Sequence, residues 1–166
     1  MKHLLSFFAI SLFVISTHAQ DWEVPRHYML EGAEDYVPYE ADIIQAANWL
    51  RDVSPTTDVE KFKEASQFVI KWVNGSPTVT VEINKTIMEF NEKNHNMLVL
   101  YMASCAKYVL ENNYSKDVQA KHISALKDMA IAYQKQPQMQ KDKKMEKLVK
   151  AIEEGTADDW YNKNFK

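Results

Sequence analysis

Residues 97–110 (MLVLYMASCAKYVL) constrain the fold more than any other stretch of the chain. Only Ser104 and Lys107 in it are clearly polar. A helix that is apolar nearly all round must be covered on every side, so it belongs at the centre of a helical bundle. The single cysteine, Cys105, lies in this stretch with Leu98, Met102 and Val109 on one stripe. That places it facing the core as a small hydrophobe. With one cysteine no internal disulfide is possible, and the core must hold the fold together.

The flanking segments carry helical spacing. Ile43, Ala46, Ala47 and Leu50 share one face, and Pro55 closes that helix. Thr57 with Glu60 reads as a capping box opening a second helix. That helix turns Phe62, Ala65, Val69, Trp72 and Val73 to one side. Gly75 reads as its left-handed cap and Pro77 as its stop. Residues 78–83 (TVTVEI) fit either strand alternation or a helical stripe. A lone strand leaves its backbone groups unsatisfied, so a helix over residues 80–93 is expected. A further helix over residues 116–136 has Val118, His122, Leu126, Met129 and Tyr133 as inner positions, and Pro137 ends it. The last helix, over residues 138–154, turns Met145, Leu148, Val149 and Ile152 inward, with Gly155 as its cap. Its other face carries Lys141, Lys143, Lys144, Lys147 and Lys150, read as solvated charge.

The amino end differs in kind. Lys2 is followed by an apolar run over residues 4–16, then Thr17-His18-Ala19. This is the pattern of a signal peptide cut between Ala19 and Gln20. The run falls short of the roughly 20 apolar residues of a membrane span. The expected organisation is a signal peptide (1–19), an extended N-terminal arm (20–41) and an all-helical domain (42–166). The domain is all-α, with five to six antiparallel helices as a bundle or stacked hairpins. A domain of this size buries roughly 70% of its unfolded surface. Trp22, Tyr28, Tyr36 and Tyr39 are placed to pin the arm to the body. One free cysteine in an exported chain fits a bacterial periplasmic or secreted protein.

Parts of the chain look familiar. They are WVNGSPTVTVEIN from Trp72, NEKNHNMLVLYMASCAKYVLENN, and the stretch on to Tyr133. Ser76-Pro77 precedes a Val/Thr run, an Asn precedes the central apolar helix, and Lys107-Tyr108 is followed by Leu110-Glu111-Asn112. These features resemble a group of small exported helical bacterial proteins of uncharacterised activity. The resemblance covers about a third to a half of the chain. It implies export and an all-helical fold, and it carries no catalytic residue or cofactor.

No chemistry-bearing motif stands out. Glu92 and His95 form a single Glu-x-x-His, but the place matching it before His122 holds Gln119. A di-iron site needs a pair of such motifs, so no metal is assigned. His27 and Glu31 are spaced i, i+4 in a segment without a firm helix. Three glycines in the whole chain leave no phosphate-cradling loop. The adjacent carboxylates Glu34-Asp35, Glu153-Glu154 and Asp158-Asp159 read as solvated charge. Asn74, Asn84 and Asn113 sit in Asn-x-Ser/Thr sequons, a motif with many chance matches. A formal net charge of −3 without a basic stripe argues against nucleic acid as a partner.

No catalytic residue and no cofactor is assigned. The expectation is a non-enzymatic exported protein that binds another macromolecule, plausibly a protein. Trp22, Tyr28, Trp160 and Tyr161 are candidate contact residues, because aromatics dominate binding hot spots. The same rings would equally serve to staple the termini onto the body. A small-ligand or lipid-binding helical protein is the first alternative. An enzyme whose site is assembled from scattered Glu, His and Lys is the second.

Overall fold

The structure is a computed structural model that describes residues 22–165. The signal-peptide reading and the Ala19/Gln20 cut lie outside the described residues. Among those described, the chain is all-helical, with no strand. A 3-10 segment, Ala33–Tyr39, leads into α1 (Glu40–Asp52), α2 (Val59–Gly75), α3 (Lys85–Lys93), α4 (Met97–Glu111), α5 (Val118–Lys135), α6 (Lys143–Glu153) and α7 (Ala157–Asn164).

The apolar helix is α4, and residues 99–106 in it are buried without interruption. That is about two turns with no solvent face. α1, α2, α3 and α5 all pack against it. Burying a side chain such as Leu100 or Met97 contributes about 2 kcal/mol each. Ile43, Ala46, Ala47 and Leu50 are the buried face of α1, as their spacing requires. On α5, His122, Leu126 and Met129 are buried and Tyr133 is half-buried, but Val118 is 45% exposed. Val118 is the first residue of the helix and projects beyond the packed face.

Several helix ends differ from their sequence expectation. α2 is capped by Asp58, not Thr57: its carboxylate accepts the Lys61 N–H at 3.0 Å. A carboxylate at that position also meets the positive end of the helix dipole. Gly75 is not a left-handed cap, since Gly155, at φ 72°, is the positive-φ glycine of the described residues. Gly75 is needed for space, because a Cβ there would collide with the Tyr36 hydroxyl. α6 begins at Lys143 rather than near residue 138, and Asp142 caps it by accepting the Lys144 N–H at 2.7 Å. The preceding loop is held by Asn94, whose side-chain amide donates to the Gln140 carbonyl at 3.2 Å and accepts the Gln140 N–H at 2.8 Å. The C-terminal residues read as a tail form α7, docked by Trp160 stacked on Phe90.

The helix expected over residues 80–93 begins only at Lys85. Asn84 caps it, its side chain accepting the Ile87 N–H at 3.1 Å. Residues 79–84 form neither helix nor ladder. The expectation failed because side chains from two other helices satisfy the backbone of this segment.

Candidate functional site

Residues 76–84 leave α2 at Ser76, whose backbone is extended, and reach α3 at Asn84, also extended. Ser76 shapes the entry: its Oγ accepts the N–H groups of Thr78 at 3.3 Å and Val79 at 3.2 Å. Beyond it, burial alternates as in extended chain. Val79 is buried, Thr80 exposed, Val81 half-buried and Glu82 exposed. Successive β-branched residues favour this conformation.

Two helices hold the segment in place. Asp117 caps α5, accepting the Ala120 N–H at 2.9 Å. The first turns of α5 then carry Lys121 and His122, both about 5% exposed. The Lys121 ammonium donates to the Thr80 carbonyl at 2.7 Å and to the Glu82 carboxylate at 2.6 Å. From α4, the Tyr101 hydroxyl donates to the Glu82 carbonyl at 3.0 Å. The carbonyls of Thr80 and Glu82 therefore both point into the bundle. In extended chain, alternate peptide groups face opposite ways. The N–H and C=O of Val81 thus face away from α5. No hydrogen bond from any described residue reaches the backbone of Val81 or Ile83.

His122 completes the clamp. Its Nε2 lies 3.1 Å from Glu82 Oε2, and its Nδ1 lies 3.1 Å from the Tyr161 hydroxyl on α7. Burial pushes the imidazole below its usual pKa; the Glu82 bond pulls upward and the Lys121 charge downward. Burial works against the Glu82 carboxylate too, but hydrogen bonds from Lys121 and His122 outweigh it and hold that group below the usual carboxylate range. Burial first, and then the neighbouring Cys105 thiol, raise the Tyr101 phenol, which stays a hydrogen-bond donor. With both His122 nitrogens and the Glu82 carboxylate engaged, this arrangement holds a proton and a backbone in place. A substrate would have to displace one of those bonds to reach the imidazole.

A recess runs along each side of the segment. One, of about 100 Å3, is lined by Thr80, Glu82, Lys116, Asp117, Val118 and Lys121 among others. The other, of about 300 Å3, lies on the side of Val73, Val79, Val81, Ile83 and Met102. Ile83 is 45% exposed there.

The four aromatics singled out in the sequence turn inward, in two separate groups. Trp22 is buried, packs on Trp49 at 6.4 Å between ring centroids and donates to Asp42 at 3.1 Å. Tyr28 is half-buried against Phe68 and Tyr39. Trp160 is buried between Phe90 and Phe165, and Tyr161 is half-buried on His122 and Phe165. Tyr161 alone of the four belongs to the clamp. Glu92 and His95 are exposed near the end of α3, and among the described residues no three His, Cys, Asp or Glu side chains gather as metal ligands. Cys105 is buried under Tyr101, and burial pushes its thiol up to about 12. A second polar cluster braces α1, α4 and α5: Lys107 donates to Asn48 at 2.8 Å and to Asp128 at 3.2 Å, and Arg51 reaches Asp128 at 3.4 Å.

Glu82, Lys121 and Tyr101 escaped sequence reasoning, and His122 was read only as an inner position. The available signal was a lysine and a histidine side by side on a helix whose face must be buried.

No protein-family model matches the chain, and no curated protein or solved structure matches it. Among the described residues no helix is long and apolar enough to cross a membrane.

Proposed function

We propose that this is an exported bacterial protein, cut between Ala19 and Gln20, that acts by binding another protein rather than by catalysis. Its docking surface is the segment 78–83 with the groove beside Val81 and Ile83. In this reading the helices run antiparallel to their neighbours, residues 20–41 form the wrapped arm, and the site of action is the periplasm or the exterior.

One observation carries the proposal: an extended segment is clamped from within by buried Lys121, Tyr101 and His122, while its outward backbone at Val81 and Ile83 has no partner among the described residues. Unpaired N–H and C=O groups on extended chain are a template for a further strand. Extended peptides bind in this way, with backbone bonds supplying affinity and side-chain pockets specificity. The groove beside Val79, Val81, Ile83 and Met102 supplies apolar walls for alternate side chains of such a peptide.

Native mass spectrometry of the protein, purified gently from its host, tests this together with Val81→Pro. Proline removes the outward N–H, breaks no hydrogen bond within the chain and suits extended backbone. A stoichiometric protein companion that is lost in V81P and kept in Val81→Ala supports the reading. A companion indifferent to V81P moves the docking surface elsewhere. A small extra mass in place of a protein favours the small-ligand or lipid alternative.

A further inference from the structure

Resting on the reading of residues 78–83 as a docking edge, we propose that the clamp is an acid-operated release: protonation of His122 frees the segment from α5 and dissolves the edge. His122 is the joint of the clamp. Its ring is 4% exposed and connects the segment, through Glu82, to α7, through Tyr161. A neutral imidazole has one donor and one acceptor nitrogen. Both are matched here when Nε2–H donates to the Glu82 carboxylate and Nδ1 accepts the Tyr161 O–H, the tautomer that the network selects.

The charged and titratable groups around the ring come from every element packed on it. Glu82 comes from the segment, Lys121 from α5 itself, Tyr161 from α7, and Tyr101 from α4 with Cys105 behind it. The remaining neighbour, Phe165, is apolar, with ring centroids 5.4 Å apart. Glu82 is the only acid among them, and Lys121 already neutralises it at 2.6 Å. A proton on Nδ1 would set a new donor against the Tyr161 hydroxyl proton and place a second cation beside Lys121 with no second carboxylate. The closed clamp therefore resists the proton, and burial as the leading cause holds the imidazole below its ordinary value of 6.5. A state in which the segment has swung away hydrates the ring and accepts the proton readily. Acid therefore shifts the population toward the open state. Histidine is the side chain whose charge changes in this pH range.

Backbone 15N relaxation of the protein recovered from its export compartment reads this directly. The heteronuclear NOE of residues 80–83 is followed from about pH 7.5 to about pH 5, together with the His122 ring signals. The expected result is a fall from helix-like to loop-like values that tracks His122 protonation, with α4 unchanged. His122→Gln keeps an amide donor and acceptor but does not titrate, and its NOE stays high throughout. Tyr161→Phe removes the hydroxyl that favours the bare Nδ1, and its transition moves to higher pH. The second variant covers the case in which H122Q folds poorly. A wild-type NOE that does not change with pH, or an equal fall in a folded H122Q, would overturn the release mechanism. Neither result touches the docking reading, which stands or falls on V81P at neutral pH.

Discussion

The ammonium of Lys121 lies 2.7 Å from the carbonyl oxygen of Thr80, a residue 41 positions earlier in the chain. A lysine side chain only 6% exposed thus does for an isolated extended segment what a neighbouring strand does in a sheet. It supplies a donor to a carbonyl that points away from water. Tyr101 does the same for the next inward carbonyl, that of Glu82.

Lys121→Met keeps the length of the side chain and removes the donor. The Thr80 carbonyl and the Glu82 carboxylate then lose their strongest partner, at a cost of about 2 kcal/mol. The urea midpoint is expected to fall with its slope unchanged. An unchanged midpoint would show that water serves these groups as well as lysine does.

Trp22 and Trp160 act as staples. Trp22→Ala and Trp160→Ala each remove a buried ring, from Trp49 in one case and from the Phe90 stack in the other. Each is expected to cost about 3 kcal/mol. Thermal unfolding measures this. A loss below about 0.5 kcal/mol, the range of surface substitutions, would return these rings to the list of partner contacts.

Cys105 is inert in the folded protein. Its burial is complete and pushes the thiol up to about 12, so hardly any thiolate forms at neutral pH. A thiol reagent added to the native protein is expected to give no signal, and a full equivalent once the protein is unfolded in guanidinium. Rapid labelling of the native protein would contradict the burial.

Acid weakens the fold in two stages. The folded pKa of His122 is depressed, so its contribution is fully present above the ordinary value of 6.5 and is lost as pH falls through the folded value. Glu82 and Asp52 are depressed too. Burial opposes Asp52, but bonds from Arg51 and Lys135 prevail, as those from Lys121 and His122 do at Glu82. Their contributions are present above the ordinary values of 4.5 and 3.8 and disappear below them. Tm measured against pH is expected to decline in both windows. H122Q is expected to flatten only the upper one, and an undiminished upper decline in that variant would assign it to another group.

Much of the helical framework was legible in the residues themselves. The uninterrupted apolar run around Cys105 demanded a central helix, and α4 is that helix. The Ile43, Ala46, Ala47, Leu50 face is buried as spaced, and Gly155 caps α6. The ends were less legible, because Thr57 and Asp58 both have capping chemistry and only the packed chain chooses between them. Of the clamp, the sequence displayed His122 on an inner face and nothing of its partners.

The division follows from the range of the forces involved. Periodicity, caps and an all-round apolar helix are decided within a few residues, so the all-helical class and the central place of α4 came from sequence alone. Whether residues 78–83 would be helix or extended chain was decided elsewhere. The local pattern fitted both, and the rule that a lone strand cannot satisfy its backbone pointed to helix. The tertiary structure broke that tie by bringing Lys121 and Tyr101 to the two inward carbonyls across sequence separations of 41 and 19. A buried backbone group needs a partner, but nothing in its own sequence neighbourhood says which distant side chain will provide it.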